Sequence, residues 1–187
     1  MMENSDPLDS FRTCLEMLGE LEEWEAPEEE FGSPLYWHAL GKRLFEVGAE
    51  WPMDDVETRI YFLDKSIEAL LQASQLDTTA CPAIIAAFAG VDYPVMIATL
   101  ARAYRERGST FFIVHDYEQA FLDYEEALKY SQHPDYHIAR AQAAYHIGAW
   151  QMALEDYELY LAKGDDPALR EEAAKYIPLI RAKLMAG

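Results

Sequence analysis

Cysteine is scarce: Cys14 and Cys81 are the only two in 187 residues, and they stand in unrelated segments without a C-x-x-C spacing. Reduced thiols are therefore expected, not a disulfide framework or a zinc site. No apolar run approaches the roughly 20 residues of a membrane span, and the opening MMENSDPLDS lacks both the basic region and the apolar stretch of a secretory signal. These absences predict a cytoplasmic protein. Basic residues are few as well, 15 Lys and Arg against 34 Asp and Glu, for a formal net charge of -19. Such a field repels nucleic acid and anionic membranes and attracts a basic protein, although the same charge also serves solubility alone. What is plentiful is apolar side chain, 51% of the chain, which excludes disorder throughout and can build a substantial core.

The acids are unevenly spread. Residues 1–33 carry 11 of them against one arginine. Within that stretch Leu8, Phe11, Leu15, Leu18 and Leu21 recur three or four apart, which predicts an amphipathic helix over 6–21 with Asp6 and Pro7 at its start. Seven Glu follow within residues 20–30, and Pro27, Gly32 and Pro34 break any regular element, so an acidic linker is expected there.

From residue 34 onward the apolar period is helical and no segment alternates strictly as a half-buried strand would, so the fold class is all-α. Breakers at Gly48 to Pro52, Asp77 to Pro82, Gly90 to Pro94, His115, His133/Pro134, Gly148 and Gly164 to Pro167 punctuate it. They predict helices near 34–48, 54–75, 82–89, 94–113, 116–131, 135–147, 150–162 and 167–185, the last kinked or split at Pro178.

The sequence repeats itself. A shift of 33 residues places Tyr117 on Trp150, Ala120 on Ala153, Asp123-Tyr124-Glu125 on Asp156-Tyr157-Glu158, Leu128 on Leu161 and Pro134 on Pro167. A period of this size implies stacked helix pairs, each leaving an apolar face for its neighbour to cover. On the helix 116–131, Tyr117, Ala120, Phe121, Tyr124 and Leu128 share one side, and Asp116, Glu118, Asp123, Glu125 and Glu126 are expected mostly on the other, facing water. Ala120 and Ala127 then permit close backbone approach, and Gly41 and Gly108 fit the same tight contact.

Trp37-x-x-Leu40-Gly41-x-x-Leu44 closely resembles the opening of a tetratricopeptide repeat, and Ala120-x-x-x-Tyr124 and Ala153-x-x-x-Tyr157 resemble its second half. The resemblance implies a right-handed α-solenoid of about three helix pairs, at about 35–75, 101–133 and 134–166. An N-terminal helix, an extra helix near 82–89 and a capping helix over 167–187 complete it, so that 1–33 and 34–187 are the two regions of the chain. The pattern is most complete from residue 101 onward. Departures include His137 where an aromatic is usual, Tyr160 where a small residue is usual, and the insertion AEWPMDD in the first unit.

Catalytic signatures are missing. His133 and His137 are four apart, but Pro134 starts a helix between them and spoils a shared face for a metal. Phosphate-binding glycine loops and the G-x-S-x-G elbow are absent. No enzyme, no catalytic residue, no metal and no cofactor is expected.

Combined with helical spacing, the resemblance implies a concave groove lined by His38, Lys42 and Phe45, then Arg102, Arg105, Ser109 and Phe112, then Ile138, Gln142 and Tyr145. Lys42, Arg102 and Arg105 beside aromatic rings fit a peptide with acidic and apolar side chains; equally, these bases can pair with Glu46 and Glu106 while the rings belong to the core. The family's clamp for a C-terminal carboxylate uses Lys, Arg and Asn, and the only asparagine here, Asn4, lies outside the repeats. Residues 20–30 could lie across the basic part of the groove until a partner displaces them.

Three functions compete. The first is a non-catalytic adaptor, scaffold or chaperone-like module binding a segment of another protein; its architecture is also similar to the small acidic chaperones of type III secretion, apart from the extra helix. The second is an acidic, immunity-type inhibitor of a basic partner. The third is self-assembly into a homo-oligomer through the end helices.

Overall fold

A computed structural model describes residues 11, 16–17, 34–78 and 93–186, and all its regular structure is helical. Among the described residues seven helices run α1 (Pro34–Glu50), α2 (Val56–Thr78), α3 (Tyr93–Ile113), α4 (Tyr117–Tyr130), α5 (Pro134–Ile147), α6 (Trp150–Lys163) and α7 (Pro167–Ala186). The breakers read from the sequence separate them to within about two or three residues. The chain divides into two compact units, one comprising 1–51 and 57–92, the other 52–56 and 93–187. The predicted extra helix near 82–89, the acidic linker and nearly all of the N-terminal helix lie outside the described residues. No described helix is long and apolar enough to cross a membrane.

In the first unit α1 and α2 pack antiparallel at very short range. A Cβ added to Gly41 would stand 2.7 Å from Leu70 Cγ and 3.1 Å from its backbone nitrogen, so only glycine lets the helices approach this closely. The Ser66 hydroxyl, in the facing helix, donates to the Gly41 carbonyl at 2.7 Å. Arg59 closes the other end, where its guanidinium donates to the carbonyls of Ala49 (2.7 Å) and Trp51 (2.9 Å) as α1 runs out. Phe11 is buried against Trp37, with ring centroids 5.2 Å apart.

In the second unit each of α3 to α7 packs on the next in sequence, and α3 also touches α5 as α5 touches α7. Ala120, Ala127, Ala141, Ala144 and Ala153 are fully buried, which gives the close helix contact their spacing predicts. The tyrosines fill the space between: Tyr157 and Tyr176 stack with centroids 5.7 Å apart, and Tyr104 and Tyr130 at 6.0 Å. Tyr160 is fully buried where a small residue was expected, and it fits because its ring lies on the bare Cα of Gly164.

One sequence expectation fails here. Asp123 and Asp156 do not face water; they are 4% and 3% exposed. Arg107, on α3, donates from Nε to Asp123 Oδ2 at 2.8 Å and from Nη2 to Oδ1 at 2.6 Å. Thirty-three residues on, Arg140 makes the same pair of bonds to Asp156, at 2.7 and 3.0 Å. Helical spacing places both aspartates beside the packing stripe, and the arginine from the partner helix turns a burial penalty into a satisfied contact. Of the other acids, the N-cap Asp116 and Glu118 are exposed as expected, whereas Glu125 and Glu126 are half-buried.

The turns repeat too. After α3 the Asp116 amide donates to the Phe111 carbonyl (2.9 Å) and the His115 amide to Phe112 (3.1 Å), with His115 left-handed at φ 65°. After α5 Ala149 donates to Ala144 (2.8 Å) and Gly148 to Tyr145 (3.3 Å), with Gly148 at φ 79°. Both are Schellman stops, but one places a β-carbon where glycine is at ease. Pro178 does not split α7, which runs unbroken through it. Its exposed position lets water serve the carbonyl left without an amide partner, while Ile177 and Ile180 stay buried on the opposite side.

Candidate functional site

The second unit has an open cleft of about 250 Å³ between α3 and α5, reached also by α4 and α7. It gathers five of the ten residues expected in a groove: Arg105, Ser109 and Phe112 from α3, Ile138 and Gln142 from α5. They meet because α3 and α5 are parallel, 33 residues out of phase, so Arg105 and Ser109 stand beside their repeat equivalents Ile138 and Gln142. Ile138 is almost wholly buried and serves as floor, not as an exposed contact.

The polar side chains of the cleft are already oriented. Ser109 Oγ and Tyr124 Oη share a hydrogen bond of 3.2 Å, and Gln142 Nε2 donates to Glu172 Oε1 on α7 at 2.9 Å. Arg105 is 42% exposed along its side chain and is paired with Glu106. Burial raises the Tyr124 phenol, offset in part by the Ser109 hydroxyl and the Arg105 charge. Burial raises Tyr136 as well, moderated by Arg105 and Arg102. Both phenols are therefore neutral hydrogen-bonding groups at ordinary pH.

The other predicted residues fall elsewhere. Arg102 is exposed one turn before Arg105. Tyr145 is half-buried in an aromatic cluster, 4.8 Å from Tyr176 and 5.4 Å from Trp150 between centroids. His38, Lys42 and Phe45 belong to the first unit. Phe45 is only 4% exposed and belongs to the core there, a correction of the groove assignment. The buried face of α1 is wider than one stripe and takes in Tyr36, Trp37, Leu40, Leu44, Phe45 and Val47. Lys42 stays exposed, 4.0 Å from Glu46. Burial, and then the Lys42 charge, holds the His38 imidazole below its ordinary pKa of 6.5.

Sequence reasoning missed Ile113, Tyr124, Asp135, Ala139 and Leu169 in the cleft. The signal for Asp135 is the 33-residue shift, which places it on Arg102, a residue expected in the groove. Leu169 comes from α7, where the repeat is too weak to fix a register.

Among the described residues no group of three His, Cys, Asp or Glu stands ready to hold a metal ion. His133 caps α5 from outside, its Nδ1 accepting from the Asp135 amide at 3.3 Å, whereas His137 is buried with Nδ1 2.7 Å from Asp156 Oδ1. No protein-family model, no curated protein and no solved structure matches this chain.

Proposed function

We propose that this protein is a non-catalytic interaction module of the tetratricopeptide type, and that it holds a segment of another protein in the cleft between α3 and α5. The reading is supported by helix pairs that repeat at 33 residues with the same Arg–Asp pair and the same left-handed stop. The observation that carries it is the cleft: repeat-equivalent side chains converge on a cavity of about 250 Å³, room for one or two side chains of a peptide but little for a drug-sized molecule. An acidic adaptor or chaperone-like scaffold is the corresponding role.

The test is affinity capture with the wild type beside Ser109→Trp, which fills the cleft, followed by mapping of the captured protein with overlapping peptides. A partner retained by the wild type, lost from the variant and reduced to one short binding segment is the expected result. Equal capture by both proteins overturns the reading.

An alternative rests on the net charge of -19 and on exposed carboxylates such as Glu118, Glu155 and Glu158. In that case the protein is an acidic, immunity-type inhibitor that meets a basic partner with its outer surface. Binding would then survive Ser109→Trp and weaken steeply with salt.

A further inference from the structure

The proposed cleft has a charge pattern that the sequence alone misreads. Arg102 and Arg105 suggest an acidic ligand, yet Arg105 is already matched by Glu106 next to it. The wall of the cleft formed by α5 carries Asp135, whose side chain is 48% exposed. Its ion-pair partner is His133, at 3.7 Å, which is a cation only when protonated. The chain as a whole has a net charge of -19, which favours cations over anions. An acidic ligand would meet a neutralised arginine through a repulsive field; a basic one would meet an accessible carboxylate through an attractive field.

The remaining groups define the rest of the ligand. Phe112, Ile113 and Leu169 offer apolar surface for a bulky side chain. Gln142 uses one amide hydrogen on Glu172, which fixes its orientation and leaves the second hydrogen and the carbonyl oxygen, the complement of a peptide bond. Of the Ser109 and Tyr124 hydroxyls, one donates to the other, so one proton remains for an outside acceptor.

We infer that the cleft selects an extended peptide segment carrying a basic side chain, set against Asp135, and a bulky apolar side chain, set against Phe112. This inference rests on the peptide-binding reading above and adds the chemistry of the ligand. The probe is a library of acetylated, amidated short peptides in which one position is Arg, Gln or Glu and another is Leu or Ala at varied spacing, read by fluorescence polarisation on the full chain. Peptides with Arg and Leu are expected to bind best, with Arg favoured over Gln by about threefold, the range of an exposed ion pair. Asp135→Asn should erase the preference for Arg and keep that for Leu, and Phe112→Ala should do the reverse; circular dichroism checks that each variant keeps its helices. Preference for Glu, or no charge preference in binding that Ser109→Trp abolishes, overturns the inference and leaves the cleft reading standing. Binding by no peptide, or binding untouched by Ser109→Trp, overturns both.

Discussion

Arg107 grips Asp123 with two parallel hydrogen bonds, Nε to Oδ2 at 2.8 Å and Nη2 to Oδ1 at 2.6 Å, between the two helices of one pair. With the carboxylate buried, removing one partner strands a charge. Asp123→Ala should therefore destabilise the protein by about 3 kcal/mol, whereas the double change Arg107→Met/Asp123→Leu should cost much less. Urea unfolding of the two variants checks this; equal losses would mean that losing the pair, not stranding a charge, is what destabilises.

His115 occupies a left-handed turn, at φ 65°, that the next module gives to Gly148. A β-carbon in that region costs about 1 kcal/mol, and the exposed 2.7 Å contact from His115 Nδ1 to the Tyr117 hydroxyl recovers part of it. His115→Gly should raise stability by about 0.5 kcal/mol, seen as a higher melting temperature. A lower one would show that the contact with Tyr117 outweighs the strain.

Gly41→Ala drives a methyl to 2.7 Å from Leu70 Cγ, and Ala120→Leu adds three carbons at a fully buried position. Each should cost about 1 to 3 kcal/mol through overpacking. Thermal unfolding measures both, and unchanged midpoints would contradict the close packing.

His38 should make stability depend on acid. Burial and Lys42 keep its imidazole below 6.5, so under that pH the unfolded chain takes up a proton that the folded chain resists. Its contribution is complete above pH 6.5 and declines as pH falls towards the lowered native value. Unfolding of His38→Gln on either side of pH 6.5 should show a shallower pH dependence than the wild type. Lys42→Gln should move the His38 titration, followed by NMR, upwards.

Tyrosine acts at the other end of the scale. Burial, with Tyr130 and Glu126 adding to it, pushes Tyr104 from 10.0 up to about 12. Above pH 10 the unfolded chain loses a proton that the folded chain retains, so stability falls between pH 10 and about 12. Tyr124, Tyr136, Tyr157 and Tyr160, all raised by burial, act in the same direction. Alkaline unfolding should coincide with a jump in tyrosinate absorbance, and Tyr104→Phe should flatten the approach to it.

Most of the helix order was legible, because Gly48, His133/Pro134 and Gly164 to Pro167 interrupt a strong helical period. Ala120 and Ala153 announced close contact by their size and spacing, and both are buried as expected. Asp123 was harder: an aspartate beside a packing stripe reads as solvated unless its arginine is known, and Arg107 lies 16 residues away on another helix. Repeating the 33-residue shift on the basic residues, Arg107 onto Arg140, would have revealed it. Phe45 was misplaced because the apolar face of α1 is wider than the motif residues alone imply. Of the cleft, Arg105, Ser109, Phe112, Ile138 and Gln142 were among the residues that the resemblance and helical spacing implied, whereas Leu169 depended on how α7 docks, which no local pattern encodes.

Each of the two buried aspartates shares its arginine within a single 33-residue stretch, Asp123 with Arg107 and Asp156 with Arg140. A tandem copy of that stretch, gained or excised whole, would carry both halves of the bond together and orphan neither. This buried bond is thus indifferent to how many such modules stand in a row, and their number can change without that contact first having to be repaired.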